Sequence, residues 1–249
     1  MEVEFKILGP VEIRAGAARV PLAGPRQESV VVALVSDRGR VVQVDRLVDL
    51  VWPEQPPATA RRQIQDLVSR LRRTLAAAGA PADLISTAPG GYVLSATGCT
   101  SDVQSFQALV ERAEAVVADD PGTAAARLSE AFGLWRGDPA AGPCVRWITD
   151  RRLEARELWL ELEVRLGRHR RVLGEMLDLL DEWPCRERLA LAAMAALVRV
   201  GRRGHALVTY ERTRRALADD LGVDPGPELR LAYRRIIEDE PISAAAQKA

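Results

Sequence analysis

Lysine is almost missing from this chain: Lys6 and Lys248 are the only two among 35 basic residues, and arginine supplies the rest. Such a bias is usual for a GC-rich genome, and arginine is also the better fork for phosphate and guanine. Histidine is equally scarce. Neither His169 nor His205 lies near a cysteine in metal-ligand spacing, so both read as structural or surface residues and no metal is expected. The three cysteines, Cys99, Cys144 and Cys185, are odd in number and far apart, which argues against a disulfide scaffold and fits a reducing compartment. Cys144 and Cys185 have no histidine beside them in sequence and read as small packing residues, not nucleophiles. No apolar run approaches the roughly 18 residues of a membrane span, and the start, MEVEFKILGP, is not a basic stretch leading into an apolar one. A cytoplasmic, nucleoid-associated protein without membrane contact is expected. Neither a GxxxxGK[ST] loop nor a GxGxxG turn occurs, so no enzyme activity and no cofactor are expected. No phosphoacceptor receiver domain is expected.

What is present is a long apolar inventory, 47% of 249 residues, enough for two ordinary domains. The formal net charge of zero conceals an uneven distribution, because basic character concentrates in one segment. The first residues alternate, with Val3, Phe5 and Ile7 against Glu2, Glu4 and Lys6, as in a half-buried strand. Val11 to Arg14 repeats the alternation and Val20-Pro21-Leu22 supplies a third short strand, so an antiparallel meander is expected. A helix follows from Pro25 to Gly39, a short strand over Val41 to Val44, and a second helix from Asp45 that Pro53 ends.

The segment Ala58 to Gly79 then reads as a third, amphipathic helix. Ile64, Leu67, Val68, Leu71 and Leu75 form its apolar stripe. Arg62, Asp66, Ser69 and Arg73 lie opposite, with Gln65, Arg70 and Arg72 flanking them. Five arginines stand against one aspartate, Asp66, which has partners for ion pairs in Arg62 and Arg70 at four-residue spacing. Leu84 to Thr87 and Tyr92 to Leu94 flank Ala88-Pro89-Gly90-Gly91, a hairpin signature. Three helices between a front sheet and a rear hairpin make a winged helix-turn-helix, whose third helix enters the major groove while the wing lies against the DNA backbone. Arg62 suits guanine, Gln65 adenine and Asp66 cytosine N4, with Ser69 also facing base edges. Arg70, Arg72 and Arg73, with Thr59 and nearby amides at the helix start, suit phosphates. Arg72 has a second reading as a buried structural ion-pair partner. Arg61, together with Gly90, Gly91 and Tyr92 of the wing, completes the candidate DNA-binding set.

The ordered series ILGP, GPRQ, VDRLVDLVWPEQPPATAR, VSRLRRTL and PGGYVL resembles the OmpR-type winged helix of the Streptomyces antibiotic regulatory protein family over roughly residues 3–95. There are two departures. Ser86-Thr87-Ala88 stands before the wing turn, and Glu28 in the first helix, where family members often carry basic residues.

Beyond Ser101, a start signal spaced with Gln104 as a capping box, the chain reads as helix after helix. Gly167 and Gly201 are 34 residues apart, and the triplets Val172/Met176/Leu179 and Ala206/Tyr210/Thr213 follow them at that offset. Ala124, Leu128 and Ala131 share the spacing within the triplet. This is the tetratricopeptide length, and about three degenerate helical pairs are expected, packed by Trp135, Trp147, Trp159 and Trp183, which have a second reading as an aromatic groove for a peptide. Leu128, Leu173, Leu180 and Leu207 take inward positions. The segments LWRGDP, RLEARELWLELEVRLGRHRRV and LADDLGVDPGPELR resemble the bacterial transcriptional activation domain of the same family. The expected layout is an α+β winged helix over 1–97, an all-α tetratricopeptide-like domain over 101–240 and a disordered tail over 241–249. The resemblance implies an activator of a secondary-metabolite gene cluster. It would bind direct repeats near the −35 element of promoter DNA as two head-to-tail protomers and contact RNA polymerase. A DNA-binding repressor and a helical-repeat adaptor for a protein partner remain as alternatives.

Overall fold

Alternating burial in the first strand shows which way the sheet faces: Val3 and Phe5 are buried, whereas Glu4 and Lys6 are only partly covered. In the computed structural model, which describes residues 2–139 and 143–238, the chain opens with β1 (Val3–Lys6), β2 (Glu12–Ala15) and β3 (Ala18–Val20). Next come α1 (Pro25–Ser36), β4 (Val42–Gln43), α2 (Val44–Val51), α3 (Ala60–Ala77), β5 (Ile85–Ala88), β6 (Gly91–Leu94) and β7 (Cys99–Ser101). The expected meander is present, with β1 antiparallel to β2 and β2 to β3. Its far edge is closed by β7, which lies parallel to β1 with Val3 opposite Cys99 and Phe5 opposite Ser101. A three-residue strand whose pairing partner lies almost a hundred residues away leaves no local periodicity to read, and the sequence analysis did not place one there.

The helices that follow are α4 (Asp102–Glu114), α5 (Pro121–Gly133), α6 (Pro143–Arg165), α7 (His169–Glu182), α8 (Glu187–Arg199), α9 (Arg203–Ala216) and α10 (Pro227–Ile237), with a π-helical turn at Leu217–Leu221. By compactness, residues 1–111 and 130–152 form one unit, and 112–129 with the chain from 153 form another.

Within the first unit, residue 102 joins elements that are distant in sequence. The buried Asp102 carboxylate accepts the backbone N–H groups of Ile7 at 2.9 Å and Leu8 at 3.0 Å, and Arg136 Nη2 lies 3.5 Å away. Arg136 also donates its own N–H to Leu8 O at 2.8 Å. Gly9, at φ +129°, leaves room for that approach, since a Cβ there would sit 3.0 Å from the Arg136 backbone. Burial pushes the Asp102 carboxyl up from its ordinary value, and the two N–H groups followed by Arg136 pull against that rise. Ser101 caps α4 as its spacing suggests, its Oγ accepting the Gln104 N–H at 3.3 Å. Asp102→Ala strands two buried donors, each costing about 1–3 kcal/mol, so the first unit should lose ~2–6 kcal/mol in a denaturant titration. Asp102→Asn, which keeps one acceptor oxygen, should recover part of it, and equal stability of all three proteins would show that this link is idle.

In the second unit the 34-residue offset extends to the hydrogen bonds at the helix ends. Gly167 and Gly201 adopt φ +78° and +77°. Gly167 donates to Val164 O at 3.0 Å and Arg168 to Glu163 O at 2.8 Å; Gly201 donates to Val198 O at 2.9 Å and Arg202 to Leu197 O at 2.8 Å. Both are Schellman closures, in which the left-handed residue comes without a Cβ penalty. Central to the packing is α8, where Leu189, Ala190 and Ala192 to Leu197 are all buried. Its alanines let α7, α9 and α10 pack against it.

Several expected inward positions are corrected. Leu128, Leu173 and Leu180 are buried, but Leu207 and Leu179 are only half-buried. Trp147 and Trp183 are 37% and 42% exposed, so they do not pack the repeats, whereas Trp159 is buried. Glu157 and Glu163, which hydrophobic periodicity cannot predict, are buried on α6. Arg168 lies 2.9 Å from Glu163 and Arg186 lies 3.4 Å from Glu157. The expected tail over 241–249 and the Cys144 side chain lie outside the described residues. Among the described residues, no helix is long and apolar enough to cross a membrane and no group of three or more His, Cys, Asp or Glu side chains suits a metal ion.

Candidate nucleic-acid interface

Five apolar residues set the pose of α3: Ala60, Ile64, Val68, Leu71 and Leu75 are buried, while Leu67, expected in that stripe, is half-buried. The opposite face is open, with Arg61, Arg62, Gln65, Asp66, Ser69, Arg70 and Arg73 all exposed. Among the described residues, none of Arg62, Arg70 and Arg73 forms an ion pair, so the expected pairing of Asp66 with Arg62 or Arg70 is not made. Arg61 differs, its Nη2 lying 2.6 Å from Asp45 Oδ1 at the start of α2. Both partners are about 70% exposed, and such pairs contribute only ~0–1 kcal/mol, so a phosphate can displace the aspartate. Thr59 does not cap the backbone. Its hydroxyl instead accepts the Gln63 side-chain amide at 3.0 Å.

Two polar side chains hold α3 in place. Gln27 of α1 is buried, its Nε2 donating to Leu67 O at 3.1 Å while its Oε1 accepts the Ala23 N–H at 2.6 Å. This explains the glutamine of GPRQ, because a buried amide with both ends satisfied locks α1 against the middle of α3. Arg72 is the second brace. Its Nε donates to Ile85 O at 2.8 Å, its Nη2 donates to Thr87 Oγ1 at 2.9 Å, and its guanidinium lies 5.5 Å from the Tyr92 ring centroid. The ion-pair reading of Arg72 is therefore replaced: its partners are a carbonyl, a hydroxyl and a ring, and they tie α3 to the wing.

The wing is β5 and β6, paired from Ile85 opposite Leu94 to Ala88 opposite Gly91. Gly90 turns at φ +77° and is exposed. Gly91 and Tyr92 are buried because β4 pairs along β6, Val42 opposite Tyr92 and Gln43 opposite Gly91. Of the three candidate wing residues, only Gly90 therefore presents itself to solvent; Gly91 and Tyr92 shape the hairpin. A Cβ on Gly91 would overlap the Val42 carbonyl. Gly91→Ala must push β4 off β6, a backbone clash that belongs with overpacking costs of ~1–3 kcal/mol or more. A lower melting temperature for the first unit is expected, and an unchanged one would mean that β4 does not need to lie so close.

Sequence reasoning missed Arg26. Its guanidinium lies 5.3 Å from the Trp52 ring centroid. With Gln63, Asp66 and Arg70 it borders an open groove of about 420 Å³ along the exposed side of α3. The signal was the GPRQ motif, in which arginine stands next to the structural glutamine. Glu28, one of the departures noted above, is half-buried in the first turn of α1, where a carboxylate complements the positive end of the helix.

Comparison with known proteins places both halves of the chain. The family model of the bacterial transcriptional activator domain matches residues 101–237, more than half of the chain. The model described as transcriptional regulatory protein, C terminal, matches residues 20–94. The transcriptional regulatory protein EmbR of Mycobacterium tuberculosis is 35% identical over 97% of this chain and 65% of its own length. Regulatory protein DnrI of Streptomyces peucetius is 33% identical over 96% of this chain and 93% of its own length. A structure of M. tuberculosis EmbR in complex with a low-affinity phosphopeptide matches with a TM-score of 0.84 at 34% identity, covering 97% of this chain and 66% of that one. The chain thus spans just under two thirds of the length of EmbR.

Proposed function

The chain belongs to the Streptomyces antibiotic regulatory protein family of transcriptional regulators, which are not enzymes, and from that premise we propose that it is a sequence-specific DNA-binding activator. The observation that carries this reading is the exposed face of α3, where Arg62, Arg70 and Arg73 have no carboxylate partner among the described residues, on a helix fixed by Gln27 and Arg72. Cations that no carboxylate neutralises cost little to bring onto phosphate, and a braced helix loses little freedom when it docks. With α3 in the major groove, Arg62, Gln65, Asp66 and Ser69 meet base edges, with arginine to guanine O6/N7 and glutamine to adenine. Arg70, Arg73 and Arg26 hold phosphates, and Arg61 joins them on leaving Asp45. Thr59 stands at the helix start, where amides favour an anion. Arg72, Gly91 and Tyr92 act indirectly by setting the wing, whose exposed Ser86, Thr87 and Gly90 lie along the backbone.

In this reading residues 1–97 bind DNA and residues 101–240 contact RNA polymerase. Two protomers sit head to tail on direct repeats near the −35 element of a secondary-metabolite gene cluster. In vitro transcription with RNA polymerase holoenzyme, from promoters flanking the chain's own gene, tests the activating role. Added protein should raise the transcript yield. A fall in yield from the same bound site would make it a repressor.

A further inference from the structure

The second unit carries a groove that the DNA reading leaves unused. Tyr210 of α9 is buried and stacks on Tyr233 of α10, ring centroids 4.1 Å apart at 20°. Pro227, Arg230 and Arg234 complete the lining of an open groove of about 410 Å³. On α10, Pro227, Arg230, Arg234 and Ile237 follow the spacing that keeps residues on one side of a helix, opposite the buried Leu229 and Ile236. Ile237 is 50% exposed. Some arginines of this unit are matched to carboxylates, as Arg168 is to Glu163, Arg186 to Glu157, Arg188 to Glu161 and Arg212 to Asp181. Arg230 and Arg234 have no carboxylate partner among the described residues.

We propose that this groove docks an acidic peptide segment of a protein partner, its carboxylates on Arg230 and Arg234 and an apolar side chain between Tyr233 and Ile237. Charge complementarity selects the acid, since two exposed guanidinium groups flank an aromatic floor and no carboxylate among the described residues lines the groove. Length selects a peptide over a small anion, because the stripe from Pro227 to Ile237 runs ~15 Å at the helical rise. The apolar ends select a peptide over nucleic acid, as a phosphate backbone has no use for Pro227 or Ile237.

The test is fluorescence anisotropy of the full chain with a short fluorescein-labelled peptide of glutamates around one central tryptophan. A counterpart with lysine for every glutamate and a labelled duplex of scrambled sequence serve as comparison probes. The acidic peptide should bind and the lysine peptide should not. The double variant Arg230→Ala/Arg234→Ala, altered only at exposed positions, should keep its melting temperature and lose about tenfold or more in peptide affinity. The double variant Arg62→Ala/Arg73→Ala should bind the peptide as the parent does. The proposal is overturned if Arg230→Ala/Arg234→Ala leaves peptide affinity unchanged, if the α3 variant is the one that loses it, or if the scrambled duplex depends on Arg230 and Arg234 as strongly as the peptide does.

Discussion

Replacing Arg62 or Gln65 with alanine is expected to flatten the protein's preference among DNA sequences at one base position, while Arg70→Ala and Arg73→Ala weaken binding to every sequence alike. The split follows from chemistry. A bidentate contact to a base edge discriminates by ~1–3 kcal/mol, whereas a phosphate contact carries no sequence information and shows itself in salt dependence. Each lost phosphate contact should lower the slope of log affinity against log salt by about one unit. Arg26→Ala should behave like Arg70→Ala, because the two arginines border the same groove. Arg61→Ala should have a smaller effect, since the parent arginine must first give up Asp45. Anisotropy titrations over a salt series on the cognate duplex and on single-base variants would measure both effects. If Arg62, Gln65, Arg70 and Arg73 variants all match the parent in affinity and slope, α3 is not the reader.

Core truncation in the helical unit is the second large effect, and burial orders it. Leu128 is 0% exposed, Leu173 7% exposed and Leu207 half-buried. Truncating a fully buried leucine typically costs ~2–5 kcal/mol, a large share of the ~5–15 kcal/mol that holds a domain together. Leu128→Ala should therefore cost the most, Leu173→Ala somewhat less and Leu207→Ala least. Neighbouring helical pairs bury one another's faces, so the loss spreads along the stack, and transcriptional output should fall in the same order. Thermal unfolding by circular dichroism beside a promoter-reporter assay would check this. A normal melt with lost output for Leu173→Ala would make that side chain part of a partner surface.

The winged helix was legible because its signals are local. Alternation, GPRQ, the α3 stripe and the Gly-Gly turn each span only a few residues, and their order fixes the arrangement. The exposed positions of α3 followed from helical geometry alone. What escaped depends on partners far away in sequence. The strand β7 exists only because β1 offers an edge, and Asp102 is buried only because the N–H groups of Ile7 and Leu8 need an acceptor. Arg72 looked like its exposed neighbours, since helical phase cannot show that a hairpin returns over one flank of the helix. Tyr92 and Gly91 looked like wing-tip residues until β4 was seen to cover them. Among the helices after Ser101 the period was readable from glycines and small residues, while Trp147, Trp183 and Leu207 were misplaced because a degenerate repeat constrains its turns more tightly than its faces.

The most direct measurement is selection of bound duplexes from a randomised pool by the full chain, run beside Arg62→Ala and Gln65→Ala. If α3 reads bases, the parent should enrich one short motif in two directly repeated copies, and each variant should lose preference at one position while keeping the rest. A parent that enriches no motif over the starting pool, or variants that enrich the same motif unchanged, would contradict the claim that this helix face reads DNA sequence.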